Sequence, residues 1–111
     1  MNRGDIITSA ASGDYGKPRP ALVVQSDLFN ATHSSIVICP ITSHLVETPL
    51  FRIAMKPSRE NGLKKDSQVM VDKISAVKRE RIGRRIGTAS ATQMAELDQA
   101  LSRWLGLENG D

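Results

Sequence analysis

The sequence predicts one mainly β domain, a small and strongly bent sheet or partly closed barrel, finished by a C-terminal amphipathic helix. Three observations carry that expectation. Short runs rich in β-branched residues recur between clusters of Gly, Pro, Asn and Ser; one run alternates apolar and polar residues; and the final segment changes to a helical period.

The strands begin with Asp5 to Ala10, followed by Pro20 to Ser26 and Ser35 to Ile41. In Leu50 to Lys56 the residues Phe51, Ile53 and Met55 alternate with Arg52, Ala54 and Lys56, the pattern of an antiparallel strand with one buried and one wet face. Gln68 to Asp72 and Arg84 to Gly87 bring the set to about six strands. Beyond them, Ser90 and Gln93 form a capping box, and Met94, Leu97, Leu101 and Trp104 return to one helical face. A helix over about 90–106 follows, with Met94 and Trp104 as packing surface and Gly106 as its terminator. Such a sheet leaves strand edges open, so pairing between subunits is expected.

The 111 residues make a single domain over 1–111, with no repeat, low-complexity tract or long linker. A chain of this size buries roughly 65% of its unfolded surface and needs no covalent staple. Its 40% hydrophobic and 24% charged residues exclude disordered and collagen-like classes. Cys39, the single cysteine, stands between Ile38 and Pro40 and reads as a buried thiol in a reducing compartment. The polar start Met1-Asn2-Arg3-Gly4-Asp5 and an aliphatic run no longer than Ala21 to Val24 point to a cytoplasmic protein without a membrane partner.

The net charge of +3 is unevenly spread. Lys64 to Arg85 contains eight basic residues against three acids, a local balance of +5. Such a segment attracts a polyanion through counterion release, although a solvated basic face would look the same.

Motif by motif, much chemistry is excluded. The chain has no Cys-x-x-Cys, His-Glu-x-x-His, phosphate-binding Gly-x-x-x-x-Gly-Lys-Ser/Thr, nucleophile elbow or dinucleotide fingerprint. One cysteine and two histidines leave a nitrogen and sulfur metal site almost without ligands; a carboxylate magnesium site is the alternative, but the acids form no recognisable cluster, so neither metal nor cofactor is expected.

Three places remain. In the first, the loop Gly13-Asp14-Tyr15-Gly16-Lys17-Pro18 leads into Arg19, which Pro20 follows. The two prolines restrict the backbone around Arg19 and hold it extended at the mouth of a strand. A guanidinium so held suits a phosphate, its planar fork matching two oxygens; an ion pair at a rigid strand start is the simpler reading of these residues alone. In the second, Thr42, Ser43 and His44 end a buried strand, where they serve either as phosphate donors and proton carrier or as a plain turn. In the third, Asp72 ends an alternating strand with Met70 on the same face, and either accepts a proton or pairs with Lys73 or a nearby arginine.

Taken in order, these segments resemble the MazF/PemK/Kid family of type II toxins. The carriers are Arg3-Gly4-Asp5-Ile6, the run from Gly16 through Lys17-Pro18-Arg19-Pro20 to Val24, Pro40-Ile41-Thr42-Ser43, Ser67 to Asp72 with Ile74 following, and the terminal helix. The resemblance implies an SH3-like barrel of the MazF/Kid/CcdB type, a homodimer, a cognate antitoxin, and sequence-specific cleavage of single-stranded mRNA without metal. DNA contact is implied only through a toxin–antitoxin complex. In that chemistry the RNA 2′-hydroxyl attacks the adjacent phosphorus. By position Arg19 and Thr42 match the family's phosphate-binding and charge-stabilising residues, and Asp72 matches an acid that acts as base in some members. Asp14, Tyr15, Lys17, Ser43, His44 and Lys73 are the expected RNA contacts.

The chain departs from the pattern twice. The loop before Arg19 is shorter than in many members, and Met70 stands where some carry a catalytic arginine, which leaves the proton donor open. A noncatalytic nucleic-acid-binding barrel is the alternative, weakened by only four aromatic residues, of which Phe51 and Trp104 read as buried. A gyrase poison of the CcdB type is disfavoured because the tail Trp104 to Asp111 lacks that group's signature.

Overall fold

The computed structural model describes residues 1–10 and 17–107. Seven strands form one wholly antiparallel sheet: β1 (Asp5–Ser9), β2 (Arg19–Val23), β3 (Ser35–Thr42), β4 (Arg52–Met55), β5 (Ser67–Met70), β6 (Ser75–Lys78) and β7 (Ile82–Thr88). Helix α1 (Asp27–Asn30) makes one turn between β2 and β3, and α2 (Ala91–Trp104) is the last element among the described residues. The strand order is β4-β5-β3-β2-β1-β7, with β6 also pairing β3.

Strand β3 lets the sheet bend. Residues 35–38 pair with β6, while Ile41 and Thr42 pair with β5, so one long strand serves two sheet segments. The result is the barrel-like, mainly β fold with a terminal helix that the sequence predicts.

Because β1, β2 and β3 lie centrally, both of their faces are covered. Ile6, Leu22, Cys39 and Ile41 join Ile53, Met55, Val69, Val71, Leu97 and Ala100 in one core beneath α2. The alternate residues Ile7, Ala21, Val23, Ile36 and Ile38 form a second core with Val77. This two-sided burial explains the unbroken run Ala21 to Val24, since neither face of that strand meets water. On β4 the alternation is plain, with Ile53 and Met55 buried and Ala54 exposed.

Helix α2 starts as its sequence directs. Ser90 Oγ accepts the Gln93 amide at 3.1 Å and Gln93 Oε1 accepts the Ser90 amide at 2.8 Å. Leu97 is its fully buried anchor, and Gly106 ends the segment at φ 69°.

Four features differ from the sequence expectation. Strand β6 was not anticipated, because in Ser75-Ala76-Val77-Lys78 only Val77 is buried. Helix α1, capped by Ser26 Oγ on the Leu28 amide, was also missed. Strand β5 stops at Met70, and Val71–Lys73 form a 3₁₀ turn, so Asp72 does not continue the alternation. Trp104 is 47% exposed and does not sit in the core; it tilts against Phe51 with ring centroids 5.5 Å apart.

Cys39 is fully buried, and loss of water pushes its thiol up to about 12, with the Asp72 charge adding to the effect. The native thiol should therefore resist iodoacetamide at pH 8 and become alkylated only on unfolding, a difference that mass spectrometry reads directly. Rapid native labelling would contradict this packing. The sign for stability follows: the unfolded thiol ionises first, so this contribution is lost as pH rises towards about 12.

A cationic groove at the strand ends

Arg19 opens β2 and Thr42 closes β3, and the antiparallel register makes these the same end of the sheet. The pairs Val23↔Ile38, Leu22↔Cys39 and Ala21↔Pro40 run towards that end and stop two residues short of Arg19 and Thr42, which line one groove there. Adjacent strands lie about 4.8 Å apart, so the two side chains start within reach of one phosphate. Between Pro18 and Pro20 the arginine is exposed at the strand mouth.

A groove of about 680 Å³ lies there. Arg19, Thr42, Ser43 and His44 line one side, while Lys64, Lys65 and Arg84 bring further positive charge. Thr8, Met70 and Ile86 complete much of the remaining wall. Its described lining contains no carboxylate. Two other clefts among the described residues are mixed in charge: one between β4 and α2 carries Glu47, Arg52, Glu96 and Arg103, and one beside it carries Lys56, Glu60 and Glu96.

Thr42 has a local and a chemical use at once. Its Oγ1 accepts the His44 amide at 3.0 Å, fixing the turn that carries the imidazole. A hydroxyl that accepts one hydrogen bond still has its proton to donate, and a phosphate oxygen at the groove can take it.

The loop that carries Lys64 and Lys65 is fastened from beneath. Asn61 is 1% exposed; its Oδ1 accepts the Ser58 and Leu63 amides and its Nδ2 donates to the Lys56 carbonyl at 2.7 Å. The Thr88 amide donates to the Glu60 carbonyl at 2.8 Å, tying the loop to β7. Gly62 (φ 69°) and Gly87 sit where loop and strand touch, and a Cβ on either would collide with the opposing backbone.

Not every expected site residue arrives. Asp72 is outside the groove lining, held in its 3₁₀ turn with Oδ1 3.9 Å from Arg52 Nε and both side chains largely buried. Its pairing with an arginine is the structural alternative that the sequence left open. Lys73 is exposed on the same turn and Lys17 precedes β2, and neither lines the groove. Asp14 and Tyr15 lie outside the described residues.

The basic segment divides in the same way. Arg79 donates to the Asn30 and His33 carbonyls, Arg81 to the Ala10 carbonyl, and Arg85 to Asp5. Those three arginines hold loops and strands together, whereas Lys64, Lys65 and Arg84 face the groove. The charge count in the sequence marked the whole segment without sorting it.

Among the described residues no three His, Cys, Asp or Glu side chains gather to hold a metal ion. None of the described helices is long and apolar enough to cross a membrane.

A family model for PemK-like, MazF-like toxins of type II toxin–antitoxin systems matches residues 2–105. The chain belongs to that family. A probable endoribonuclease MazF of Mycolicibacterium smegmatis is 43% identical, over 96% of this chain and 98% of the relative. Endoribonuclease MazF9 of Mycobacterium tuberculosis is 32% identical over the same shares. Among solved structures, an endoribonuclease in complex with its cognate antitoxin from a mycobacterial species superposes with a TM-score of 0.83, covering 98% of each chain at 24% identity. That likeness establishes the family's fold for the whole of the described domain.

Proposed function

We propose that this family member is the endoribonuclease toxin of a toxin–antitoxin pair, cleaving single-stranded mRNA at particular sequences without a metal cofactor. The observation that carries the reading is the groove itself, in which Arg19, Thr42 and additional cations converge while no described carboxylate intrudes. A lining whose described charged side chains are all cations suits a phosphodiester and offers little to a divalent metal ion, which prefers oxygen anions.

The reaction is the one the family resemblance implies, and the groove residues supply its parts. An RNA 2′-hydroxyl attacks the neighbouring phosphorus, the bond to the departing 5′-oxygen breaks, and a 2′,3′-cyclic phosphate and a 5′-hydroxyl remain. Arg19 and Thr42 bind the two non-bridging oxygens and favour the extra negative charge of the five-coordinate phosphorus. Guanidinium is a poor acid, so Arg19 supplies charge and orientation. Among the described lining groups imidazole is the side-chain type that exchanges protons near neutral pH, and His44 is assigned the proton of the leaving 5′-oxygen. The proton of the attacking hydroxyl passes to solvent. Asp72 is not assigned as the base, because it does not line the groove and its Oδ1 lies 3.9 Å from Arg52 Nε.

Ser43 and the lysines of the 64–65 loop hold the flanking strand, and Asp14, Tyr15 and Lys17 contribute to base recognition. Lys73, exposed on the 71–73 turn, is a phosphate contact away from the groove. The partners are single-stranded RNA, a second copy of the chain as homodimer, and an antitoxin whose acidic segment competes for the groove. The setting is the cytoplasm, where mRNA is found.

Incubating the purified chain with a mixed RNA pool in excess EDTA tests the reading. Discrete fragments are expected. Salt-sensitive binding with intact RNA would replace the enzyme by a binding module, and loss of gyrase supercoiling with intact RNA would identify a gyrase poison.

A further inference from the structure

Arg84 and Arg85 part company at a β-bulge, and we propose that this bulge makes Arg84 a catalytic residue, a second guanidinium on the reacting phosphate. The inference rests on the RNA-cleavage reading and adds a residue to it.

Strand β7 carries more residues than the β1 segment it faces. Between the pairs Ile7↔Arg85 and Ser9↔Ile82, β1 advances by two residues and β7 by three, which places an extra residue at Gly83 and Arg84 opposite Thr8. A bulge of this kind re-aims a side chain, and bulges gather beside active sites for that reason. Here two contacts pin it. Thr8 Oγ1 accepts the Arg84 amide at 3.2 Å, and Gly83 lies so close to the same hydroxyl that an added Cβ would collide with it.

The consequence is a division of labour between adjacent arginines. Arg85 turns to Asp5, with Nε 3.1 Å from Oδ1, and serves the strand. Arg84 turns into the groove, where the described lining gives it no carboxylate to neutralise it. Thr8 pairs with Pro20 on its other side, so Arg84 stands two strand spacings, roughly 10 Å, from the backbone beside Arg19. Two long side chains approaching from opposite sides of that gap meet at one phosphate.

The chemistry gives such a second cation a task. A phosphodiester carries one negative charge, and the five-coordinate state formed by alkoxide attack carries two. One guanidinium matches the ground state; a second one gains contact as charge develops, the condition for raising kcat. Lys64 and Lys65, on a loop and without planar donors, are suited to flanking phosphates.

The test uses the full chain and a short RNA containing one cleavage site. Arg84→Ala should lower kcat by on the order of 10²-fold with little change in KM. Arg84→Lys should recover part of that loss by keeping the charge without the fork. Arg85→Gln should leave kcat unchanged while lowering the melting temperature. A wild-type chain that cuts no RNA would overturn the function itself. A wild-type chain that cuts, with Arg84→Ala changing only KM or nothing, would overturn the Arg84 assignment alone. Should Arg84→Ala unfold, the kcat of a folded Arg84→Lys decides.

Discussion

Arg19→Ala should reduce kcat for RNA cleavage by about 10³-fold, at the upper end of what one charge-stabilising donor supplies, with the melting temperature almost unchanged. The size of the effect comes from position. Arg19 is held extended between two prolines at the first residue of β2, so its backbone is placed at the groove before RNA arrives. Its exposure in the free protein explains the small stability cost, since surface substitutions generally stay within about 0.5 kcal/mol. Arg19→Lys should restore only a small part, because an ammonium keeps the charge and loses the bidentate fork. Single-turnover cleavage together with circular dichroism melting separates the two quantities. Equal kcat for the alanine variant and the wild type would remove Arg19 from the reaction.

The second large effect is structural and reaches the groove indirectly. Gly87→Ala should destabilise the fold by about 3 kcal/mol, because its Cβ would collide with the Asn61 and Glu60 backbone instead of a movable side chain. The loop has few ways to retreat. Asn61 anchors it through three hydrogen bonds and Glu60 binds the Thr88 amide. If the loop gives way, Lys64 and Lys65 leave the groove with it. The variant should therefore show a lowered urea midpoint and, under conditions where it remains folded, a raised KM for RNA with a shallower dependence on salt. A wild-type midpoint would mean that the loop does not press on β7.

The legible parts of this fold were those where one face dominates. Ile53 and Met55 announce β4 because their strand has a wet side, and the Ser90 and Gln93 pair announces α2 because a cap is a local device. Strand β6 was illegible for the converse reason: its single buried residue, Val77, gives no period, and its pairing with β3 is settled by tertiary contact. Trp104 shows the limit of periodicity, which identifies a helical face without telling how far the underlying sheet extends beneath it.

The groove was legible in its strand-end members. Arg19 and Thr42 are far apart in sequence, and only the β2 and β3 register makes them neighbours, yet each stood out as a polar group closing a buried run. Asp72 reads as a strand residue in the sequence because alternating residues look the same whether the strand continues or breaks into a 3₁₀ turn after Met70. Lys64, Lys65 and Arg84 were visible as charge and invisible as a site. Sorting them from Arg79, Arg81 and Arg85 depends on backbone carbonyls and a bulge that no spacing encodes.

The central claim is that an RNA 2′-hydroxyl is the nucleophile in a groove where side chains alone stabilise the charge. Mapping the ends of RNA cut by the purified chain in excess EDTA tests it most directly. The expected fragments end in 2′,3′-cyclic phosphate and begin with 5′-hydroxyl, and a single 2′-deoxy substitution at the cut site blocks cleavage there. Fragments with 3′-hydroxyl and 5′-phosphate ends, or cleavage that persists at the deoxy position, would contradict the account.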